Sequence, residues 1–574
     1  MKNVKAIPLL SAAVFCLCLA ANSLAQWPDD PLANMPICDT SGAQTIPKIA
    51  ATSDGGCYVC WYDNTSGNYD LYLQRLDGSG QIMWAENGLL ISDNPQDTWL
   101  TDYDMTVDQE DNALVVINDI RSGGDWDIYA YRISPAGGFL WGDDGLTISD
   151  NNGFEVNPRV TVTTDGNIVV GWQEDDFVHV RKLTPDGEDY WSPAVITPSS
   201  TYGMSIARIA PAEGDGIILQ ALVATGPEYW DPKHLYAYKY DADGESQWGD
   251  NGVVVSNAGG FGPQMRPDII ADGAGGVYSY WYDSRNNILH AYAQHVLSDG
   301  SMAWTANGVL LSSAAGRLQM EPAIAHPAGS EDVYLFFITT DSNQNQSGVG
   351  AQRLNAAGER QWGSGGLDLV PLSYNTCWYA QAVPMTDGAV VTYFESPAGD
   401  VINSRVKAIR VAEDGSPVWD DSPVVMSQLL SQKGYLQAAV NPLGQVLAVW
   451  QDGRSDSDGD IYLQNVNPDG TLGEFPISIP DDGTPAPESF FLLRNYPNPF
   501  NAGTTIEYYL DKPGAVEIAI FDIAGRKIAT LNHEWQAAGI HRLLWTAEHL
   551  ASGIYYYRIS ADGLFEARKM LHLK

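Results

Sequence analysis

One fifteen-residue segment recurs along the chain and constrains the fold more than any other feature. Its clearest copies are residues 70–84 and 127–141. Weaker copies end at five further tryptophans: Trp191, Trp248, Trp304, Trp362 and Trp419. In these seven copies a glycine always stands four residues before the tryptophan, whereas an eighth copy, residues 460–470, is followed by Glu474 instead. The spacing predicts one structural unit used eight times.

Each copy is interpreted as a β-hairpin. Tyr72, Leu73 and Leu76 form a short run that is apolar on both faces, which is typical of a strand covered on both sides. Residues 77–80 read Asp-Gly-Ser-Gly, a turn sequence, because glycine adopts positive φ without steric cost. We expect Trp84 to lie on the return strand as an anchor.

A second hairpin pattern precedes the first in most copies, for example at residues 47–63 and 267–283. Each unit therefore holds four short strands, and a four-stranded sheet cannot bury both of its faces alone. Eight such sheets arranged radially can cover one another. The predicted fold is an all-β, eight-bladed propeller over residues 26–479.

Ring closure has two candidate segments because the eighth copy lacks its tryptophan. Residues 35–39 resemble the outer strands at 89–93 and 146–150, and Trp27 stands just before them. We expect Trp27 and this segment to complete the blade begun by the last repeat, which would leave no open sheet edge. Residues 475–479 are the competing candidate.

The repeats resemble the propeller-like repeats of secreted bacterial proteins. The matching pieces are the Trp-x-Asp and Trp-x-Asp-x-Arg segments at residues 61–63, 281–285 and 450–454. Residues 207–225 have drifted from this pattern. The resemblance implies an architecture and no particular ligand.

The N-terminus has the features of a secretory signal peptide, predicted for residues 1–25. Lys2 and Lys5 precede an apolar run at 7–21, and Ser23-Leu24-Ala25 is suited to cleavage. No other apolar run is long enough for a transmembrane helix. We expect a Sec-exported chain that passes the periplasm and ends secreted or on the cell surface. Cys57 and Cys60 are predicted to be buried thiols, with a bridge from Cys38 left open.

The net charge is strongly negative, −40, and lies in the repeat region. A surface of this sign argues against nucleic-acid backbones and anionic membranes as partners. Its ordinary role is to keep an exported protein soluble.

A change of composition marks a C-terminal module. Residues 480–488 are a proline-rich linker. Residues 489–574 contain about seven alternating strand patterns separated by glycine turns, the spacing of a small β-sandwich.

This module closely resembles the C-terminal sorting domain of type IX secretion cargo and the related hook-capping immunoglobulin-like domain. The matching residues are Asn495, Pro497, Asn498, Pro499, Phe500, Gly525, Arg526, Gly539, His541, Trp545, Gly553, Tyr555 and Lys569. The resemblance implies passage across the outer membrane through the secretion machinery, which would be a partner of the module. Whether the module is then cleaved is left open. Trp545, Tyr555 and Phe521 are expected to pack its core.

Candidate chemistry is sparse. No zinc-protease, serine-nucleophile or phosphate-loop motif occurs, so no catalytic residue is assigned. Asp456, Asp458 and Asp460 alternate in a loop beside a glycine, a pattern that suits calcium but lacks the usual bidentate glutamate. The alternative is a polar loop in which Asp452 pairs with Arg454. No other cofactor is expected.

Two functions remain. The favoured one is a secreted or surface-bound, non-catalytic propeller that binds a glycan, a protein or an ion. The alternative is a secreted carbohydrate-active enzyme, a glycosidase or lyase, built on the same ring. Converging carboxylates at one mouth of the channel would favour the enzyme. The ligand and the oligomeric state do not follow from the sequence.

Overall fold

The computed structural model describes residues 27–96, 102–121, 124–196, 202–228, 230–262, 265–400, 402–420, 422–474, 490–496, 498, 500–501, 503–510, 513–522, 527–536, 539–547, 550, 553–561 and 564–572. Within these residues the chain forms two compact units, residues 1–475 and 476–574. The candidate closing segment 475–479 and the predicted signal peptide lie outside the described residues.

The first unit consists of four-stranded antiparallel sheets, called blades 1 to 8 in chain order. Strand β1 (Met35–Cys38) comes first in the chain. Blade 1 holds β2 (Gln44–Ala51), β3 (Cys57–Asp63), β4 (Asp70–Leu76) and β5 (Leu89–Ser92). Blade 2 holds β6 (Tyr103–Val107), β7 (Ala113–Asp119), β8 (Asp127–Ile133) and β9 (Leu146–Ser149). Blade 3 holds β10 (Glu155–Val162), β11 (Ile168–Glu174), β12 (Phe177–Leu183) and β13 (Asp189–Ile196). Blade 4 holds β14 (Met204–Pro211), β15 (Ile217–Ala224), β16 (Lys233–Tyr240) and β17 (Val253–Ser256).

Blade 5 holds β18 (Asp268–Ala271), β19 (Val277–Asp283), β20 (His290–Val296) and β21 (Val309–Leu310). Blade 6 holds β22 (Arg317–Ala325), β23 (Val333–Asp341), β24 (Ser347–Leu354) and β25 (Leu367–Ser373). Blade 7 holds β26 (Thr376–Met385), β27 (Gly388–Ser396), β28 (Asn403–Ala412) and the first part of β29 (Val424–Val440). The second part of β29 opens blade 8, followed by β30 (Val446–Asp452) and β31 (Asp460–Val466). Two short 3-10 turns, Glu213–Asp215 and Arg285–Asn287, interrupt the strands.

The blades form a closed ring. Most first strands contact the first strands of the neighbouring blades, as β2 does with β6 and with β29, so the first strands surround the central axis. Successive blades cover each other's faces, and the buried clusters lie between them. The strands are therefore apolar on both sides: all seven residues of β3, β7 and β31 are buried.

Ring closure uses the N-terminal segment, as the sequence predicted. Strand β1 pairs antiparallel with β31, with Met35 opposite Leu463 and Cys38 opposite Ile461. The first described residue, Trp27, is buried. The eighth blade is thus built from both ends of the ring, which leaves no strand edge open at the seam.

The recurring glycine and tryptophan belong to contacts between blades. Each tryptophan packs on the glycine of the next copy: a Cβ on Gly80 would lie 2.7 Å from Trp27, and one on Gly300 would lie 2.9 Å from Trp248. Both glycines have positive φ, 83°. Most of the indoles also donate to a carbonyl beside that glycine, as Trp27 Nε1 does to Gly78 O at 3.2 Å. Trp27 therefore replaces the tryptophan that the eighth copy lacks.

One part of the hairpin interpretation is wrong. After the turn that follows β4, the return segment forms a single bridge, Leu76 to Ile82, and the chain bends again before β5. Trp84 lies in this bend and not on a strand. The reason is the inter-blade contact, because its indole must leave the plane of its own blade to reach Pro135 O at 3.2 Å.

The described cysteines Cys38, Cys57, Cys60 and Cys377 are buried and free, so no bridge joins Cys38 to Cys57 or Cys60. Burial raises the pKa of the Cys38 thiol to about 11. These thiols are packing groups, as expected.

The second unit has two antiparallel sheets. One contains β32 (Phe490–Tyr496), β33 (Gly503–Leu510) and β36 (Gly539–Thr546). The other contains β34 (Gly514–Asp522), β35 (Lys527–Gln536), β37 (Gly553–Ala561) and β38 (Leu564–His572). Buried residues from both sheets share one core, including Tyr508, Ile520 and Trp545. The unit is a small β-sandwich.

Candidate functional site

The first strands of five blades share an irregularity at one mouth of the ring. A residue other than glycine has positive φ at the same point of each strand: Ile46 (52°), Asn157 (54°), Glu321 (48°), Tyr379 (51°) and Tyr435 (53°). The register shifts there, which marks a β-bulge. This conformation costs about 1–3 kcal/mol for such residues. Because the bulge recurs in five blades, it is a feature of the repeat. The blades differ in the side chains that they carry at the bulge.

In blades 1 to 5 the side chains at this level form an ion network. Lys48 Nζ lies 3.7 Å from Asp102 Oδ1 and 3.6 Å from Asp104 Oδ1. Arg159 Nη1 contacts Asp102 Oδ2 at 2.9 Å, and Arg208 Nε contacts a further aspartate, Asp268, at 2.9 Å. Each of these charges has a partner of opposite sign.

The network holds its carboxylates ionised. Burial by itself raises the pKa of Asp102, but Arg159 and Lys48 outweigh it and lower the pKa to about 2. The pKa of Asp104 is lowered by Lys48 and Arg208 in the same way, against its burial. These aspartates neutralise cations and do not serve as proton donors near neutral pH.

Blades 6 to 8 present a different set of side chains at the same level. Ala323, Gln381 and Gln437 follow the bulges there, in the positions that Lys48 and Arg159 occupy in blades 1 and 3. Within the described part of the chain, neither glutamine amide has a hydrogen-bond partner. Trp378 Nε1 is buried without one as well. Accessible amides without a protein partner can donate and accept hydrogen bonds to a bound molecule.

Glu321 is the protonatable carboxyl of this half of the mouth. Its Oε2 accepts a hydrogen bond from Tyr379 N at 2.8 Å. Burial raises the pKa of Glu321. Burial also raises the pKa of Tyr379, with Glu321 and Tyr435 acting in the same direction and Arg266 against them. A carboxyl of this kind can carry a proton that it gives to a bound molecule.

A cleft of about 740 Å³ lies across blades 3 and 4 and the start of blade 5. Its lining includes Phe154, Arg159, Tyr202, Met265 and Arg266. Phe154 and Tyr202 are 48% and 36% exposed, and Phe154 stacks on Trp126 with ring centroids 5.2 Å apart. Arg266 also lines this cleft, and its positive charge opposes the rise in the pKa of Tyr379.

The predicted calcium residues lie in the loop between β30 and β31. Asp456 Oδ1 accepts hydrogen bonds from Asp458 N at 2.9 Å and Gly459 N at 3.1 Å. Burial, with Asp456 and Asp39 nearby, raises the pKa of Asp460 to about 6. No three His, Cys, Asp or Glu side chains of the described chain are arranged to hold a metal ion. Calcium binding stays a prediction.

The pairing of Asp452 with Arg454 is present. Arg454 Nη2 lies 2.6 Å from Asp452 Oδ2, and Trp450 Nε1 donates to the same carboxylate at 2.8 Å. The guanidinium lies over the ring of Tyr462, 3.9 Å from its centroid. The Trp-x-Asp-x-Arg motif therefore closes the end of its own blade.

The residues expected in the sorting module fall into four groups. Phe500, Trp545 and Tyr555 are buried together, with 5.4 Å between the Phe500 and Trp545 rings. His541 stacks on Tyr508, and Asn495 donates to Thr504 Oγ1 at 3.2 Å. Gly539 is the first residue of β36, and Gly553 is the first residue of β37. Lys569 lies on β38, and Asn498 lies in a bend outside the strands. Pro497, Pro499, Gly525 and Arg526 lie outside the described residues.

Phe521 is not part of the buried cluster of the module. It is only partly buried, and Arg558 lies over its ring at 4.7 Å. Side chains alternate along β34, so Ile518 and Ile520 face the core and Phe521 faces outward. The expectation that Phe521 packs the core is wrong.

The second unit of the chain matches a known family of domains. Residues 494–572 match the family model of the secretion system C-terminal sorting domain. The chain ends in a type IX sorting domain. Such a domain indicates secretion or attachment to the cell surface. No helix among the described residues is long and apolar enough to cross a membrane.

Comparison with solved structures gives remote likenesses. A polysaccharide lyase of family PL25, an ulvan lyase bound to -[GlcA(1-4)Rha3S]-, is 11% identical, with a TM-score of 0.43 over 78% of this chain and 98% of that one. An endo-arabinase from Bacteroides thetaiotaomicron is 12% identical, with a TM-score of 0.26 over 45% of this chain and 95% of that one. The GH93 α-L-arabinofuranosidase of Fusarium graminearum is 12% identical, with a TM-score of 0.29 over 54% and 92%. Structural similarity this low does not indicate a function for this chain. No curated protein matches the chain.

Proposed function

We propose that this protein is exported by its C-terminal sorting domain and binds a carbohydrate chain at the mouth formed by blades 6 to 8. The sorting domain would engage the type IX secretion machinery. The observation that supports the binding role is a set of polar groups at the mouth without a partner among the described residues: the partly buried amides of Gln381 and Gln437 and the buried indole N–H of Trp378. The amides are free to bond a ligand, and the buried Trp378 N–H gains a bond if a ligand oxygen reaches it.

The chemistry of the mouth fits a sugar better than a protein or an ion. Amides donate and accept at once, as sugar hydroxyls do. Tyr379 and Tyr435 add aromatic faces at the same level, and Tyr435 is 41% exposed. The cleft that leads to Arg266 gives the site an elongated form, which suits a polymer.

The test is a glycan array followed by calorimetry with the full-length mature protein. The double variant Gln381→Ala/Gln437→Ala should weaken binding by about 10-fold or more, since each lost hydrogen bond contributes about 0.5–1.5 kcal/mol. Leu140→Ala is the matched control, because this 47% exposed side chain lies on the return segment of blade 2. Equal affinities for the double variant and the control would refute the proposal.

A second candidate is cleavage of the bound glycan. Glu321 supports it, because its pKa is raised by burial at the mouth beside Tyr379. Hydrolysis would release new reducing ends, and elimination would also produce an unsaturated sugar that absorbs in the ultraviolet. Glu321→Gln should abolish either product, while Glu359→Gln, an exposed glutamate of the same blade, should not. A glycan that binds and stays intact would exclude this candidate.

A further inference from the structure

Arg266 differs from the other cations around the mouth. Lys48, Arg159 and Arg208 each contact an aspartate within 4 Å. Among the described residues, no carboxylate lies within ion-pair distance of the Arg266 guanidinium, and no hydrogen-bond partner is present. The side chain is exposed. The positive charge of Arg266 is therefore available to a ligand.

The position of Arg266 places this charge on the path of a bound chain. The residue lines the cleft of blades 3 to 5. Its positive charge also contributes to the lowered pKa of Asp102 and opposes the rise in the pKa of Tyr379. A polymer that lies in the cleft can therefore contact Arg266.

The aspartates of the ion network do not cancel this charge. Asp102 is held by Arg159 and Lys48, and Asp104 by Lys48 and Arg208. The net charge of −40 belongs to the whole chain, and charges more than about 8 Å apart are largely screened at physiological ionic strength. Local pairing at the site, and not the charge of the whole protein, therefore governs what Arg266 can bind.

We propose that Arg266 binds a negatively charged substituent of the glycan, a carboxylate or a sulfate ester. A guanidinium forms two parallel hydrogen bonds with either group, and such charge-assisted bonds are stronger than neutral ones. Phe154, Tyr202 and Met265 in the cleft supply apolar surface for the sugar rings on either side of that substituent. The inference rests on the proposed function, because it specifies which glycans the site selects.

Two pairs of probes that differ only in charge test the inference with the full-length mature protein. The first pair is polygalacturonate and its methyl ester, and the second is a sulfated galactan and its desulfated form. The wild type should bind at least one charged member more tightly than its neutral counterpart. Arg266→Gln should weaken that binding about 10-fold, to the level of the neutral counterpart, because a charge-assisted hydrogen bond is lost.

Two further variants separate the role of Arg266 from a general effect of charge. Arg266→Lys keeps the charge but not the fork of donors, so it should restore only part of the affinity. Arg360→Gln removes a positive charge from the return segment of blade 6, where Arg360 donates to Ser364 O at 3.0 Å, and should bind as the wild type does. Melting curves should show all variants folded.

The outcomes distinguish the inference from the proposed function. Equal binding of charged and neutral members, or no effect of Arg266→Gln, overturns the inference and leaves glycan binding in place. No binding to any of the four probes or to the glycan array overturns both. A preference confined to polygalacturonate or to the sulfated galactan supports the inference and identifies the substituent as carboxylate or sulfate.

Discussion

Substitution of Trp27 by alanine tests how the ring is held closed. Trp27 is 3% exposed, packs on Gly80 and donates to Gly78 O at 3.2 Å, while its own backbone N–H donates to Ser79 O at 3.3 Å. Replacing a buried tryptophan by alanine costs about 3–5 kcal/mol. The indole is one of the contacts that join the N-terminal segment to blade 1, so its removal weakens the closure of the ring.

The expected change in melting temperature follows from the size of the ring. An unfolding entropy of about 2.1 cal/mol/K per residue gives about 0.9 kcal/mol/K for about 450 residues. Trp27→Ala should therefore lower the midpoint by about 3–6 °C, if the ring unfolds cooperatively. Differential scanning calorimetry on the mature protein is the assay.

Trp230→Ala is the control, because this tryptophan is 74% exposed and its removal should change the free energy of unfolding by no more than about 0.5 kcal/mol. If Trp27→Ala and Trp230→Ala have the same melting temperature, the N-terminal tryptophan does not stabilise the closed ring, and this explanation of ring closure is refuted.

Three further predictions concern other parts of the chain. If Asp458 helps to bind calcium, millimolar calcium should raise the melting temperature, and Asp458→Ala or a chelator should remove the rise. Burial raises the pKa of Glu155 from 4.5 to about 7, so stability should fall as pH rises between these values, and Glu155→Gln should flatten that part of a pH series of melting curves. Deletion of residues 488–574 should leave a folded propeller in the periplasm of the native host; normal levels in the medium or on the surface would contradict the sorting role.

The architecture was predictable because the repeat encodes contacts within a blade. The strands, the turn glycines and the closing segment at residues 35–39 all follow from local pattern. The partner of each tryptophan did not follow, because the glycine that receives Trp248 is Gly300, one blade farther along the chain. In the sequence each tryptophan lies close to the turn glycine of its own copy. Only the closed ring brings it against the turn glycine of the next copy.

The mouth of the channel was not predicted, although the sequence carries a signal for it. Pro47, Pro158 and Pro322 recur at one point of the first strands, and Pro267 directly precedes the first strand of blade 5. Proline inside a strand marks a bulge or an edge, because it cannot donate to the sheet. In two of these blades the proline directly follows a residue with positive φ that is neither glycine nor asparagine: Ile46 and Glu321.

The recurring prolines do not predict which side chains at the mouth are available to a ligand. A repeat determines the backbone position but not the side chain. Lys48 and Gln437 occupy the same position in blades 1 and 8, and in the part of the chain that the structure describes only one of them has a partner. Lys48 is neutralised by aspartates of blade 2, whereas Gln437 has no partner among the described residues. Whether a polar side chain is satisfied depends on the neighbouring blade, which lies about 50 residues away in sequence.

The cleft lies where the repeat has drifted, and the structure gives a physical reason. In blade 5 the last residue of the second strand is Asp283, which holds Arg285 at 2.6 Å, and the guanidinium covers Tyr292 at 3.7 Å. The equivalent residue of blade 4 is Ala224, which pairs with the first residue of the third strand as Asp283 does. Ala224 carries no carboxylate to hold an arginine, and together with Gly226 it lines the cleft. The described residues of blade 4 therefore lack the Asp–Arg pair found at this end of blade 5, and Ala224 and Arg266 line the same cleft.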